Sequence, residues 1–126
     1  VFRLTYADVD MVQFFVADYY RWMDRAFAEL MAACGYPRRA SLDRRRGFPV
    51  VESGCTYVGR ALVDEKLTVE ARFVHMSDRA FRVGYDFAKL DGAEVAHGFT
   101  QHVCVDLDAM RPVAVPDQFR REPADG

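Results

Sequence analysis

The stretch DYYRWMDRAFAELMAACG, residues 18–35, is the one long helical pattern in the chain, and the segments that follow residue 49 alternate as strands. Apolar residues fall at Tyr19, Trp22, Met23, Ala26, Phe27, Leu30 and Met31 with three-four spacing, while Arg21, Asp24, Arg25 and Glu29 take the remaining face. Asp18 is a suitable N-cap and Gly35 a suitable C′ residue. A helix of about 16 residues is about 24 Å long, and so wide an apolar stripe has to be covered. One buried helix among strands confines the chain to an α+β arrangement, with an antiparallel sheet of about five strands wrapped around the helix.

The strands follow from period-two alternation. FRLTYA, residues 2–7, is the first. KLTVEARFV puts Leu67, Val69, Ala71 and Phe73 on one side, and AFRVGYDF repeats the rule with Phe81, Val83, Tyr85 and Phe87. MSDR and LDGAE are the turns around the second of these, Asp91-Gly92 being the strongest turn signal. In EVAHGFTQHVCVDL, one face carries Val95, His97, Phe99, Gln101, Val103 and Val105. Residues 50–62 are less regular, and Gly54 and Gly59 there predict bulges or close backbone approach. Residues 35–49, bracketed by Pro37 and Pro49, read as loop. The 126 residues make one domain, with residues 117–126 a loosely packed tail whose last six, REPADG, fray. A single helix leaves the opposite face and the edges of such a sheet uncovered, so self-association is expected.

Charge and cysteine content exclude several classes. With 17 basic and 19 acidic residues, the net charge of −2 gives no basic field for nucleic acid. RRASLDRRR, residues 38–46, holds five arginines; it is either a solvated loop or a site for an anionic ligand. No apolar run approaches the roughly 20 residues of a membrane span. Cys34, Cys55 and Cys104 lie far apart, without CxxC or histidine-paired spacing, so neither a disulfide framework nor a metal site is supported, and a reducing cytoplasm fits.

The puzzling feature is Asp8 and Asp10 in YADVD, charge placed between a strand and an aromatic-rich helix, where a carboxylate is costly unless it has work to do. Asp8 suits a turn held through backbone hydrogen bonds. Glu52 stands among apolar neighbours and reads either as surface or as a group positioning water. His97 and Gln101 share a strand face with apolar residues and read as hydrogen-bonded core polar groups; His75 and His102 have no supporting neighbours. Phe14, Phe15 and Tyr20, near the helix start, suit either core anchors or the lining of a pocket.

The segments YADVD, ADYYRWMD, CGYP, GFPVVESGCTYVG and VDEKLTVEARF, in this order and spacing, resemble the hotdog-fold acyl-CoA thioesterases of the 4-hydroxybenzoyl-CoA thioesterase type. The similarity runs from Phe2 to about Pro116 and is most specific from Asp-x-Asp to Y-x-R-W. It implies hydrolysis of an acyl-CoA or acyl-carrier-protein thioester, with Asp10 as the catalytic carboxylate. Asp10 would act either as nucleophile, giving a mixed anhydride, or as general base on water. A backbone amide of Val16 or Ala17 at the helix start would polarise the thioester oxygen, and Arg79 in the MSDR turn would approach the coenzyme phosphates. The resemblance also implies sites at subunit interfaces of a homodimer or homotetramer, and no cofactor apart from the coenzyme A of the substrate itself. The chain departs from the pattern in having Gln13 where relatives often have glycine, in being one residue short before Tyr20, and in Asp18, where asparagine or serine is usual. Two other activities therefore stand beside hydrolysis: a non-catalytic acyl-CoA binder, and a hotdog dehydratase or hydratase, which normally relies on a histidine absent here.

Overall fold

The computed structural model describes residues 2–3, 9–10, 13–14, 16–61 and 64–120, with side chains from residues 18–61 and 64–120. Helix α1 (Val16–Ala33) runs for 18 residues and starts ahead of Asp18. Asp18 is thus not the N-cap but a member of the first turn, where negative charge meets the exposed amides, and its carboxylate pairs with Arg21 one turn on. The C-terminal end is as the sequence predicts. Gly35 adopts φ 81°, and the Tyr36 amide donates to the Met31 carbonyl at 2.8 Å while the Gly35 amide donates to that of Ala32 at 3.0 Å, a Schellman closure.

Residues 35–49 hold more structure than a loop. Helix α2 (Arg38–Asp43) follows Pro37 and buries none of its residues. No apolar period existed there to be read. Of the two-residue strands β1 (Phe2–Arg3), β2 (Val9–Asp10), β3 (Gln13–Phe14) and β4 (Arg46–Gly47), only β1 joins the main sheet. With β5 (Val50–Tyr57), β6 (Lys66–Met76), β7 (Ala80–Lys89) and β8 (Glu94–Val103), it forms a five-stranded sheet in the order β1-β6-β7-β8-β5. All its pairings are antiparallel. A smaller sheet joins β4 to β9 (Val105–Asp106) and β10 (Arg111–Pro112).

The apolar stripe of α1 and the row Phe81, Val83, Tyr85, Phe87 of β7 belong to one buried cluster, so the sheet wraps the helix in the hotdog manner. Strand β8 corrects the expected face. After Val95 the core row is Ala96, Thr100, His102 and the following Cys104, whereas His97 is exposed and Gln101 only half-buried. The cause is a register shift against β7: Ala88 pairs with Glu94 but Phe87 with Ala96, and one extra residue turns the other parity inward. Small residues occupy this row because α1 lies close. A Cβ on Gly98 would sit 2.6 Å from Met23 Cε and 2.7 Å from the Gly54 carbonyl oxygen.

The tail also packs more firmly than expected as far as residue 120. A 3-10 turn (Asp117–Arg120) buries Phe119, whose ring meets those of Tyr36, Phe48, Phe73 and Phe81 at centroid distances of 5.2–5.4 Å. Residues 121–126 lie outside the described set. Among the described residues, no helix is long and apolar enough to cross a membrane.

Gly98→Ala should lower stability by about 2 kcal/mol, because the Gly54 backbone cannot give way as a side chain can. A urea melt should show a lower midpoint with an unchanged slope.

Candidate active site

Along one edge of the buried stripe, Tyr20, Asp24, Phe27 and Met31 follow one another at helical spacing, and beside this edge the helix and sheet part. A cleft of about 240 Å³ opens there between Tyr20, Asp24 and Phe27 of α1, Val50 and Ser53 of β5, Tyr85 of β7, and Thr100 and His102 of β8. A second cavity of about 480 Å³ shares Asp24, Phe27, Val50 and His102, and continues past Phe48 to Arg38 and Arg46. Tyr85, Thr100 and His102 are buried and form the floor; Tyr20, Asp24, Val50 and Ser53 are exposed and form the rim.

The floor is a connected polar chain. The His102 ring is stacked between Phe27 and Phe81, with centroids 4.5 and 4.8 Å away. Its Nδ1 lies 2.8 Å from the Phe48 carbonyl oxygen and its Nε2 2.7 Å from Thr100 Oγ1. Thr100 Oγ1 in turn lies 2.8 Å from Tyr85 Oη. Burial pushes the imidazole below the ordinary histidine range, outweighing the Phe48 carbonyl and the Asp24 charge, which act the other way. Burial also pushes the Tyr85 phenol up to about 12, so it keeps its proton at neutral pH. At the rim, Asp24 pairs with Arg38 at 2.7 Å, both side chains being more than half exposed, so the pair adds little stability.

The residues singled out from sequence fall in several places. Tyr20 lines the cleft. Asp10 is described in its backbone alone, paired with Gln13 in the β2–β3 hairpin just ahead of α1. The backbones of Val16 and Ala17 form the first residues of α1, where amides lack intrahelical partners. Phe14 is likewise described only as backbone in β3, while Asp8 and Phe15 lie outside the described residues. Glu52 is exposed and faces Arg82 at 3.7 Å, paired across the ladder with Gln101, on the sheet face turned away from the helix. Arg79 occupies the exposed turn between β6 and β7. His97 and Gln101, expected in the core, lie outside it: His97 pairs with Glu94 at 2.8 Å, and Gln101 accepts from Arg82 at 2.9 Å.

In the arginine-rich segment, Arg38, Arg45 and Arg46 pair with Asp24, Asp108 and Asp106, and Arg44 lies over the Tyr36 ring. Most of its charge is thereby turned onto the protein's own acids. Burial raises all three thiols, Cys104 to about 12, so none is a ready thiolate. Among the described residues, no group of three or more histidine, cysteine or acidic side chains is arranged to hold a metal ion.

A family model described as the Thioesterase-like superfamily matches residues 5–122. The chain belongs to that superfamily. Its fold is shared with a solved gentisyl-coenzyme A thioesterase, 26% identical, over 95% of this chain and 97% of that one, with a TM-score of 0.85. A hypothetical protein from Thermus thermophilus is 29% identical, covers 94% of this chain and 91% of its own, and gives a TM-score of 0.84. A 1,4-dihydroxy-2-naphthoyl-CoA thioesterase from Synechocystis, only 16% identical, has the same fold over 94% of this chain and 89% of that one, with a TM-score of 0.84. No curated protein matches the sequence.

Within this thioesterase-like chain, sequence reasoning missed Tyr85, Thr100 and His102 as a cleft floor. The signal that bears on them is Gly98: a residue this small in mid-strand marks the side that a helix approaches, and even parity places Thr100 and His102 on that side too.

The unfolded chain takes a proton on His102 below the ordinary value of 6.5, and the folded chain resists it. Stability is therefore complete above pH 6.5 and erodes as pH falls through it, by at most about 1.4 kcal/mol per pH unit, until the lower folded-state value is reached. Urea midpoints between pH 7.5 and 5 should show this slope in the wild type, and His102→Gln should flatten it.

Proposed function

We propose that this protein hydrolyses the thioester of an acyl-CoA or an acyl-carrier protein to free acid and thiol, with Asp10 as the acting carboxylate. The observation that carries this reading is the placement of the Asp10 backbone in a hairpin immediately before the start of α1, within a superfamily match spanning residues 5–122. A thioester carbonyl set between the two meets a carboxylate on one side and partnerless amides, Val16 and Ala17, on the other. Asp10 then adds to the carbonyl carbon and the C–S bond breaks, leaving a mixed anhydride for water to open; as a base, it takes a proton from the water that attacks. The amides stabilise the oxyanion in either route. Tyr20, with Phe14 and Phe15, lines the acyl pocket, Glu52 is the remaining candidate for water and Arg79 for the coenzyme phosphates. No cofactor beyond the substrate's own coenzyme is needed. The likeness to a gentisyl-coenzyme A thioesterase supports the same thioester class.

Thiol release from a panel of acyl-CoAs should fall at least about 100-fold in kcat for Asp10→Asn. Equal rates in the two proteins would remove Asp10 from the chemistry. Gln13, where relatives often have glycine, favours the second reading, a non-catalytic acyl-CoA binder; binding of acyl-CoA without thiol release by the wild type would select it.

The working unit is at least a homodimer joined along β5. This strand is one edge of the main sheet and exposes Val50, Val51, Tyr57 and the adjoining Val58, a ladder without a partner strand among the described residues and beside apolar surface. Light scattering should report a dimer or tetramer, and Val51→Lys should shift it toward monomer. The free state of all three cysteines supports a cytoplasmic setting.

A further inference from the structure

We propose that the buried chain Tyr85–Thr100–His102 selects an acyl group whose far end carries a hydrogen-bond donor, a hydroxyl above all, over one ending in a bare acceptor or an alkyl carbon. The inference rests on the thioesterase reading for its reaction and on hydrogen-bond direction for its content.

A backbone carbonyl sets the direction. The Phe48 oxygen offers only lone pairs, so His102 Nδ1, 2.8 Å away, carries the hydrogen and donates. Burial keeps the ring neutral, which leaves a lone pair on Nε2, and Thr100 Oγ1 at 2.7 Å donates to it. A threonine hydroxyl has one proton. Its contact with Tyr85 Oη at 2.8 Å therefore runs the other way, with the phenol donating. Every proton of the chain is committed inward, and what Oη and Oγ1 have left for the cleft is lone pairs. The Asp24 carboxylate on the same lining adds acceptors; Ser53, at the exposed rim, can turn its hydroxyl either way.

A ligand hydroxyl reaching the floor satisfies these acceptors, whereas an ether oxygen meets lone pairs with its own and an alkyl end leaves them unpaired. The cleft of about 240 Å³ has room for roughly eight waters, the bulk of a compact acyl group.

The test is thiol release from coenzyme A thioesters matched on an aryl and a short straight-chain frame, each ended in hydroxyl, methyl ether or hydrogen. Wild type should favour the hydroxyl end in kcat/KM by about tenfold on the frame that fits. Thr100→Val removes the acceptor of the phenol proton and frees Tyr85 Oη to donate, so the methyl ether should rise to or above the hydroxyl compound. A merely structural role for Thr100 would instead lower all three alike. Tyr85→Phe, which keeps the Thr100–His102 bond and leaves Oγ1 and Asp24 as acceptors, should shrink the preference without reversing it, and it carries the test if thermal melting shows Thr100→Val unfolded, an unchanged preference then overturning the inference. A hydroxyl compound no better than its methyl ether in wild type, on both frames, overturns the inference and leaves the thioesterase reading intact. If no thioester releases thiol, that reading fails, and the selectivity is read instead from calorimetric binding of hydrolysis-resistant thioether analogues: the same order of ends sustains it, and equal affinities overturn it.

Discussion

The close passage of α1 over β8 at Gly98 governs both the packing of the sheet and the shape of the cleft. With Met23 Cε and the Gly54 carbonyl both within 2.7 Å of where a Cβ would stand, the helix can approach the sheet only where β8 presents no side chain. That requirement pins the parity of β8 more strictly than hydrophobicity does, since beyond the buried Val95 the apolar Phe99 and Val103 are left only half-buried while Thr100 and His102 turn inward. Burying two polar residues, Thr100 and His102, is the cost. It stays small because each is hydrogen-bonded and the ring of one lies between two phenylalanines.

The same compromise produces the cleft. A row of small and polar side chains fills less volume than Leu or Phe would, and the space appears at the helix edge, beside Thr100 and His102. Fold and candidate site therefore share one cause. The polar floor also carries a preset direction, because a carbonyl of the segment between β4 and β5 dictates which nitrogen of His102 bears the hydrogen.

Much of this was legible in the sequence. The three-four spacing of residues 19–31 marked the buried face of α1, Gly35 marked its end, and the row 81, 83, 85, 87 marked the inner face of β7 with full burial in the structure. These signals are strong because each repeats over several residues and depends on no distant partner. What could not be read depended on pairing. One bulge reversed the face of β8, moving His97 and Gln101 out and Thr100 and His102 in. Helix α2 went unseen since nothing in it is buried, and the packing of Phe119 rests on four rings distant in sequence. The candidate carboxylate was visible through a motif rather than through periodicity. Its backbone stands in the hairpin just ahead of α1.

The adjoining cavity is bounded on one side by strands tied into ladders and on the other by α2, a single short helix with no buried side chain, linked to α1 by an exposed ion pair. Stiffness is thus unevenly distributed around the space. The ladder side resists deformation because moving it breaks many bonds together, whereas α2 is held by the half-buried Ala40 against the core, by Arg44 over Tyr36 and by the solvated Arg38–Asp24 pair. The wall is therefore softest at its outer, α2 side and firmest where His102 and Thr100 are tied into the sheet.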